Sequence, residues 1–66
     1  MERYMIDGSS LPDEERIELF QQVDKLSYMA LDGPPDIRKV TFSFLYNGDI
    51  EEMRAALNIT CPITKL

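Results

Sequence analysis

Histidine and tryptophan are absent from the 66 residues, and cysteine occurs once, as Cys61. Without an imidazole there is no ready general base near neutral pH, no base partner for a nucleophilic thiol and no histidine ligand for a metal. One thiol closes no internal disulfide and does not supply the thiolate cluster that a structural zinc needs. Glycine is scarce as well: Gly8, Gly33 and Gly48 stand far apart, so no glycine-rich loop is available to cradle a phosphate. Nor is there an apolar run of about 18 residues, and the opening MERYMIDGSS lacks the basic stretch followed by an apolar one that marks a secretory leader. A lone cysteine suits a reducing compartment. Together these absences set the expectation of a cytoplasmic protein without a catalytic site, a metal or a cofactor.

Positive charge is also in short supply. Twelve acids against seven bases give a net charge of −5, and the whole excess lies in residues 1 to 32, where eight acids face three bases. Binding to a phosphate backbone is driven by Lys and Arg displacing counterions, so nucleic acid is a disfavoured partner, and no membrane contact is expected. A chain this short forms one domain, residues 1 to 66, and buries a modest share of its surface. With disulfides and metals set aside, self-association is the remaining source of added stability.

What is present is a clear alternation of elements. RYMI (residues 3 to 6) reads as a short strand. Ser9 and Ser10 offer N-caps for a helix from Pro12 to Leu31, and Asp13 to Glu15 suit the positive end of its dipole. Ile17, Leu19, Phe20, Val23, Leu26, Ala30 and Leu31 fall on one arc of that helix, and Glu14, Glu15, Glu18, Gln21, Gln22 and Lys25 on the other. Met29 projects among the polar residues. Gly33, Pro34 and Pro35 stop the helix.

The segment from 38 to 46 alternates with period two: Val40, Phe42, Phe44 and Tyr46 on one face, Lys39, Thr41, Ser43 and Asn47 on the other, with Leu45 breaking the polar face. Asp49 caps a second helix whose apolar face is Ile50, Met53, Ala56 and Leu57, with Glu52 in the capping-box position. The tail ITCPITKL fits an edge strand, an extended arm or a short helix, Pro62 removing one ladder donor. The expected fold is therefore α+β: a small two-layer domain of order β-α-β-α, with a C-terminal edge strand where the tail pairs, and a long helix packed on one face of a small sheet.

Two functional readings follow. The first is a small acidic, non-enzymatic protein–protein interaction module, an adaptor, regulator or inhibitor. Its candidate contact residues are Glu14, Glu15 and Glu18, whose charges imitate a run of phosphates, the out-turned Met29, and Thr41, Ser43 and Leu45 on the outer side of the strand. The expected partner is another protein, including a second copy that joins through the edge of strand 38 to 46. The alternative is a transcriptional regulator: residues 49 to 66 resemble a degenerate helix-turn-helix in Ile50, Met53, Leu57, Ile59 and Thr60, with Asn58 at the turn. They depart from that pattern at Arg54, where the motif needs a small residue, and at Thr64, where it needs an apolar one. Six residues follow Thr60, and Lys65 is their only cation. Asp49, Glu51 and Glu52 lie close together in sequence, but their positions are accounted for by helix capping.

Overall fold

In the computed structural model, which describes all 66 residues, the order is β1 (Glu2–Asp7), α1 (Asp13–Leu26), β2 (Met29–Ala30), β3 (Thr41–Tyr46), α2 (Ile50–Ala56) and β4 (Ile63–Lys65). The four strands form one sheet in the order β2-β3-β1-β4, and every neighbouring pair is antiparallel. It follows that β1 and β2 run parallel with β3 between them, the split β-α-β or ferredoxin-like connectivity. That connectivity describes an architecture and carries no function by itself.

The strand parity decides where the core lies. Tyr4 and Ile6 of β1 and Phe42 and Phe44 of β3 are the strand residues fully inside it, and they meet Leu19, Phe20 and Val23 of α1 and Met53 of α2, with Ile59 and Cys61 closing one end. Both helices therefore cover the same face. Three rings run from helix to sheet in near-parallel stacks: Phe20 on Phe42 at 5.4 Å and Phe42 on Phe44 at 5.8 Å between centroids. Tyr4 extends the series, tilted against Phe44 at 5.9 Å. Burial of four aromatic rings supplies much of the driving force available to so small a core.

The first helix is shorter than its apolar pattern suggests. It ends at Leu26, where Ser27 turns extended (φ −81°, ψ 159°) and its hydroxyl donates to the Asp24 carbonyl. Tyr28 N–H then donates to Leu45 O and Leu31 N–H to Ser43 O, so the segment read as the last helical turn becomes β2, which covers β3. Apolar residues at Ala30 and Leu31 fit both periods, and pairing with a strand distant in sequence settles the choice. Gly33 takes a left-handed φ of 87° in the loop after β2 and does not cap the helix. At the other end the cap position is held by Pro12 without a side-chain bond, not by Ser9 or Ser10; Ser9 N–H instead donates to Asp7 Oδ1.

Strand 38 to 46 starts later than expected, at Thr41, because residues 37 to 40 form a turn held by Arg16. This side chain sits on the core side of α1, only 6% exposed. Its guanidinium donates to Lys39 O and Ile37 O at 2.8 Å each and to Leu11 O at 3.2 Å, and it pairs with Asp13 at 2.8 Å. A buried cation is tolerated here because its donors are matched.

α2 begins as expected, with Asp49 Oδ1 accepting from Glu51 N–H at 2.9 Å, while Glu52 makes no reciprocal bond. Its end is a Schellman turn: Asn58 adopts φ 53°, its N–H donates to Ala55 O, and Ile59 N–H donates to Arg54 O. After that turn the chain does not re-enter a helix. Ile63–Lys65 pairs with Ile6, Met5 and Tyr4 of β1, the edge-strand form of the tail. The residues that would read a DNA groove in a helix-turn-helix thus lie in the sheet, and Arg54, the misfit in that pattern, donates to Cys61 O and pairs with Glu51.

Candidate functional site

Because β1 and β3 alternate, the side chains opposite the core form a second face that neither helix covers. Register places Arg3 opposite Leu45, Met5 opposite Ser43 and Asp7 opposite Thr41, with Met29 opposite Leu45 on the other flank and Thr64 opposite Met5. Leu31 joins the Ser43 and Met5 row through its bond to Ser43 O. Three cross-strand rows result: Met29, Leu45 and Arg3; Leu31, Ser43, Met5 and Thr64; and Thr41 with Asp7. Directly opposed residues stand close enough for their side chains to touch.

Four of the seven residues singled out by the sequence therefore come together on this face: Met29, Thr41, Ser43 and Leu45. Met29 arrives there as a strand residue and not as an outward helix residue, and it is 49% exposed. Leu45 and Met5 are half-buried, which makes the centre of the face apolar. Ser43 differs from expectation in being only 7% exposed, since its small side chain lies in a row between Leu31 and Met5. It forms the floor of the face between the larger Leu31 and Met5.

The strand is not, however, an open edge. β3 is flanked by β1 along its length and by β2 at Phe44 and Leu45, so the sheet's edges are β2 and β4. Addition of another chain to strand 38 to 46 has no free ladder where β2 pairs; the available surface is the face. Sequence reasoning missed Arg3, Met5, Asp7 and Leu31 as members of it. The alternation of Arg3, Met5 and Asp7 with Tyr4 and Ile6 in RYMID carried that signal, but a short strand of unknown neighbours does not reveal its outer face.

Glu14, Glu15 and Glu18 lie elsewhere, exposed on α1 on the helical side of the molecule. Glu15 and Glu18 border a cleft of about 290 Å³ between α1 and the turn after α2, whose apolar lining includes Leu11, Leu19, Leu57 and Ile59. Glu14 does not line it. The carboxylates near α2 do not converge: Asp49 caps the helix and Glu51 pairs with Arg54 at 3.2 Å. No group of three or more metal-binding side chains occurs, and no helix is long and apolar enough to cross a membrane. Cys61 is buried at the end of the core.

Electrostatic perturbation is confined to the end of β1 and the loop before β3. The carboxyl of Asp36 is held down to about 2 by hydrogen bonds from the Arg38 guanidinium and backbone N–H. That of Asp7 is lowered by hydrogen bonds from Ser9. Each explanation is local to its own turn. Compared with protein-family models, with curated proteins and with solved structures, the chain finds no match in any of the three.

Proposed function

We propose that this chain is a small, acidic, non-enzymatic protein-interaction module, acting as an adaptor, regulator or inhibitor in the cytoplasm, and that it engages its partner through the open face of the sheet. The observation that carries the reading is the gathering of Met29, Leu31, Leu45 and Met5 on a face that no helix covers. An apolar surface left uncovered in a domain of this size is the usual mark of a contact. Methionine adds adaptability, because its unbranched thioether side chain repacks against varied partners. The same face supports a protein partner over a nucleic acid: it presents no aromatic ring for base stacking and a single arginine.

Affinity capture with the native chain and with Leu45→Asp, each with and without nuclease, tests the reading. A stoichiometric protein retained through nuclease by the native chain and lost with Leu45→Asp is the expected result. Equal capture by both chains, or recovery of nucleic acid with proteins released by nuclease, overturns it.

The cleft favours a second contact on the helical side. Glu15 and Glu18 beside an apolar floor suit a basic side chain with a long aliphatic stem, such as arginine or lysine of a partner. Glu15→Lys combined with Glu18→Lys removes that contact and leaves the sheet face untouched, so the two surfaces are separable in the same capture experiment. Retention of every captured protein by the double variant rules the cleft out.

A further inference from the structure

We infer that the open face of the sheet is shaped to meet a second copy of this chain face to face, with Arg3 of each copy set against Asp7 of the other. This rests on the interaction reading above and names its occupant.

Arg3, Met5 and Asp7 project from the same side of β1, because Tyr4 and Ile6 between them point into the core. Arg3 and Asp7 lie four residues apart, about 13 Å at the usual strand rise, with Met5 midway. Opposite charges at the two ends and an apolar residue at the centre make the strand self-complementary. A two-fold axis running across the strands through the Met5 and Ser43 row exchanges the ends. It brings both Arg3 side chains to both Asp7 side chains and stacks Met5 and Leu31 on their own copies. An axis running along the strands would instead set Arg3 on Arg3 and Asp7 on Asp7, so the charges select one arrangement.

Three further observations point to the same occupant. The chain carries a net charge of −5, yet Arg3 and Asp7 are the only charged side chains its paired strands place on this face, which is therefore neutral. Two copies approach there without the like-charge cost met elsewhere. Of the four arginines, Arg16, Arg38 and Arg54 are ion-paired and Arg3 is not. Asp7 is in no ion pair either, its hydrogen bond coming from Ser9 within the turn. Finally, a 66-residue domain with one cysteine and no metal cluster has self-association as its remaining source of added stability.

Sedimentation equilibrium and native mass spectrometry on three chains test the inference. The wild-type chain is expected to form a dimer that loosens with added salt. Arg3→Asp alone and Asp7→Arg alone each put two like-charge contacts in the dimer and weaken it about 100-fold. An equimolar mixture of the two variants regains the dimer as a heterodimer. There the aspartate introduced in one chain meets the arginine introduced in the other, while the second contact remains the native pairing of Arg3 with Asp7. Circular dichroism confirms that each variant is folded. Should Asp7→Arg fail to fold, Asp7→Asn keeps the acceptor for Ser9 and weakens the dimer about tenfold, one charge pair being lost at each of two sites. A wild-type chain that stays monomeric at millimolar concentration, variants that dimerise as well as wild type, or folded variants that do not reassociate on mixing overturn the inference. A monomeric wild type that still captures a Leu45-dependent protein removes the self-pairing and leaves the interaction reading in place. A charge-selected dimer whose captured proteins ignore Leu45→Asp does the reverse.

Discussion

Met29 and Leu45 stand directly opposite one another between β2 and β3, on the side of the sheet that carries no helix. Across the sheet's thickness from Leu45 lies its neighbour Phe44, fully buried. Adjacent residues of one strand therefore answer to different demands, the first to the open face of the sheet and the second to the core.

Substitution separates those demands. Leu45→Asp or Met29→Asp is expected to cost about 1 kcal/mol of stability or less, since neither residue belongs to the core. Phe42→Ala removes a fully buried ring stacked on Phe20 and Phe44 and is expected to cost about 3–5 kcal/mol, enough to unfold most of a domain of marginal stability. Urea unfolding followed by circular dichroism measures both. A Leu45→Asp chain that unfolds like Phe42→Ala would place Leu45 in the core.

Arg16 is the next test, because it is a buried charge whose hydrogen bonds span two loops and the start of α1. Arg16→Lys keeps the charge and loses the fork that reaches Lys39 O, Ile37 O and Leu11 O together; a loss of about 2 kcal/mol is expected. Arg16→Met leaves those carbonyls without their donor and is expected to cost about 2–4 kcal/mol. Amide exchange at residues 36 to 40 should accelerate in both. Gly8→Ala probes the same place from the opposite side, as a Cβ there would lie 2.9 Å from Arg16 Cγ and 3.0 Å from Phe20 Cζ.

Asn58 invites a gain. Its φ of 53° lies in the left-handed region at the Schellman position, where glycine carries no side-chain penalty. Asn58→Gly is expected to leave stability equal or raised by about 0.5 kcal/mol, and Asn58→Ala to lower it by about 1 kcal/mol. Thermal melts of the two variants read the difference, and a more stable alanine variant would contradict the turn geometry.

Asp36 and Asp7, the two carboxyls held below their ordinary range, shape the acid side of the pH profile, and Asp36 has the value that can be followed. Its folded carboxyl titrates at about 2, below the ordinary value of 3.8, so the native state holds its proton less tightly than the unfolded chain does. The contribution of this turn is thus fully present above about pH 4 and is lost as pH falls toward 2. Carboxyl carbon shifts followed by NMR between pH 5 and pH 2 should show Asp36 among the last to titrate, and Arg38→Ala should move its midpoint up toward 3.8. An unchanged midpoint in that variant would remove Arg38 as the cause.

Much of this fold is legible in the sequence where one local signal dominates. Phe42 and Phe44 at spacing two, and Leu19, Phe20 and Val23 at helical spacing, name the two layers and their contact. Asp49 announces the second helix. The parts that were not legible depend on pairing between distant residues. Nothing local distinguishes Met29 in a helix from Met29 in a two-residue strand; the deciding bonds come from Leu45 and Ser43. Arg16 likewise belongs to neither arc of the helix as read from the sequence, and its burial is set by carbonyls more than twenty residues away. The open face of the sheet was legible only in part for the same reason: Leu45 interrupts a polar alternation, whereas Met5 and Arg3 become neighbours of Ser43 and Leu45 only through the register of β1 with β3.

Strand order also bears on how the chain assembles. β1, synthesised before the other three strands, occupies an inner position, and its partners are Thr41–Tyr46 on one side and Ile63–Lys65 on the other. No hairpin within residues 1 to 40 can pair with it, so before β3 is made Tyr4 and Ile6 have only α1, a local element that forms within microseconds, to cover them. Sheet closure is therefore a late event that needs both β3 and β4. Until β3 emerges, Glu2, Arg3 and Asp7, interleaved with those apolar residues, keep the strand charged, a pattern that disfavours premature strand pairing.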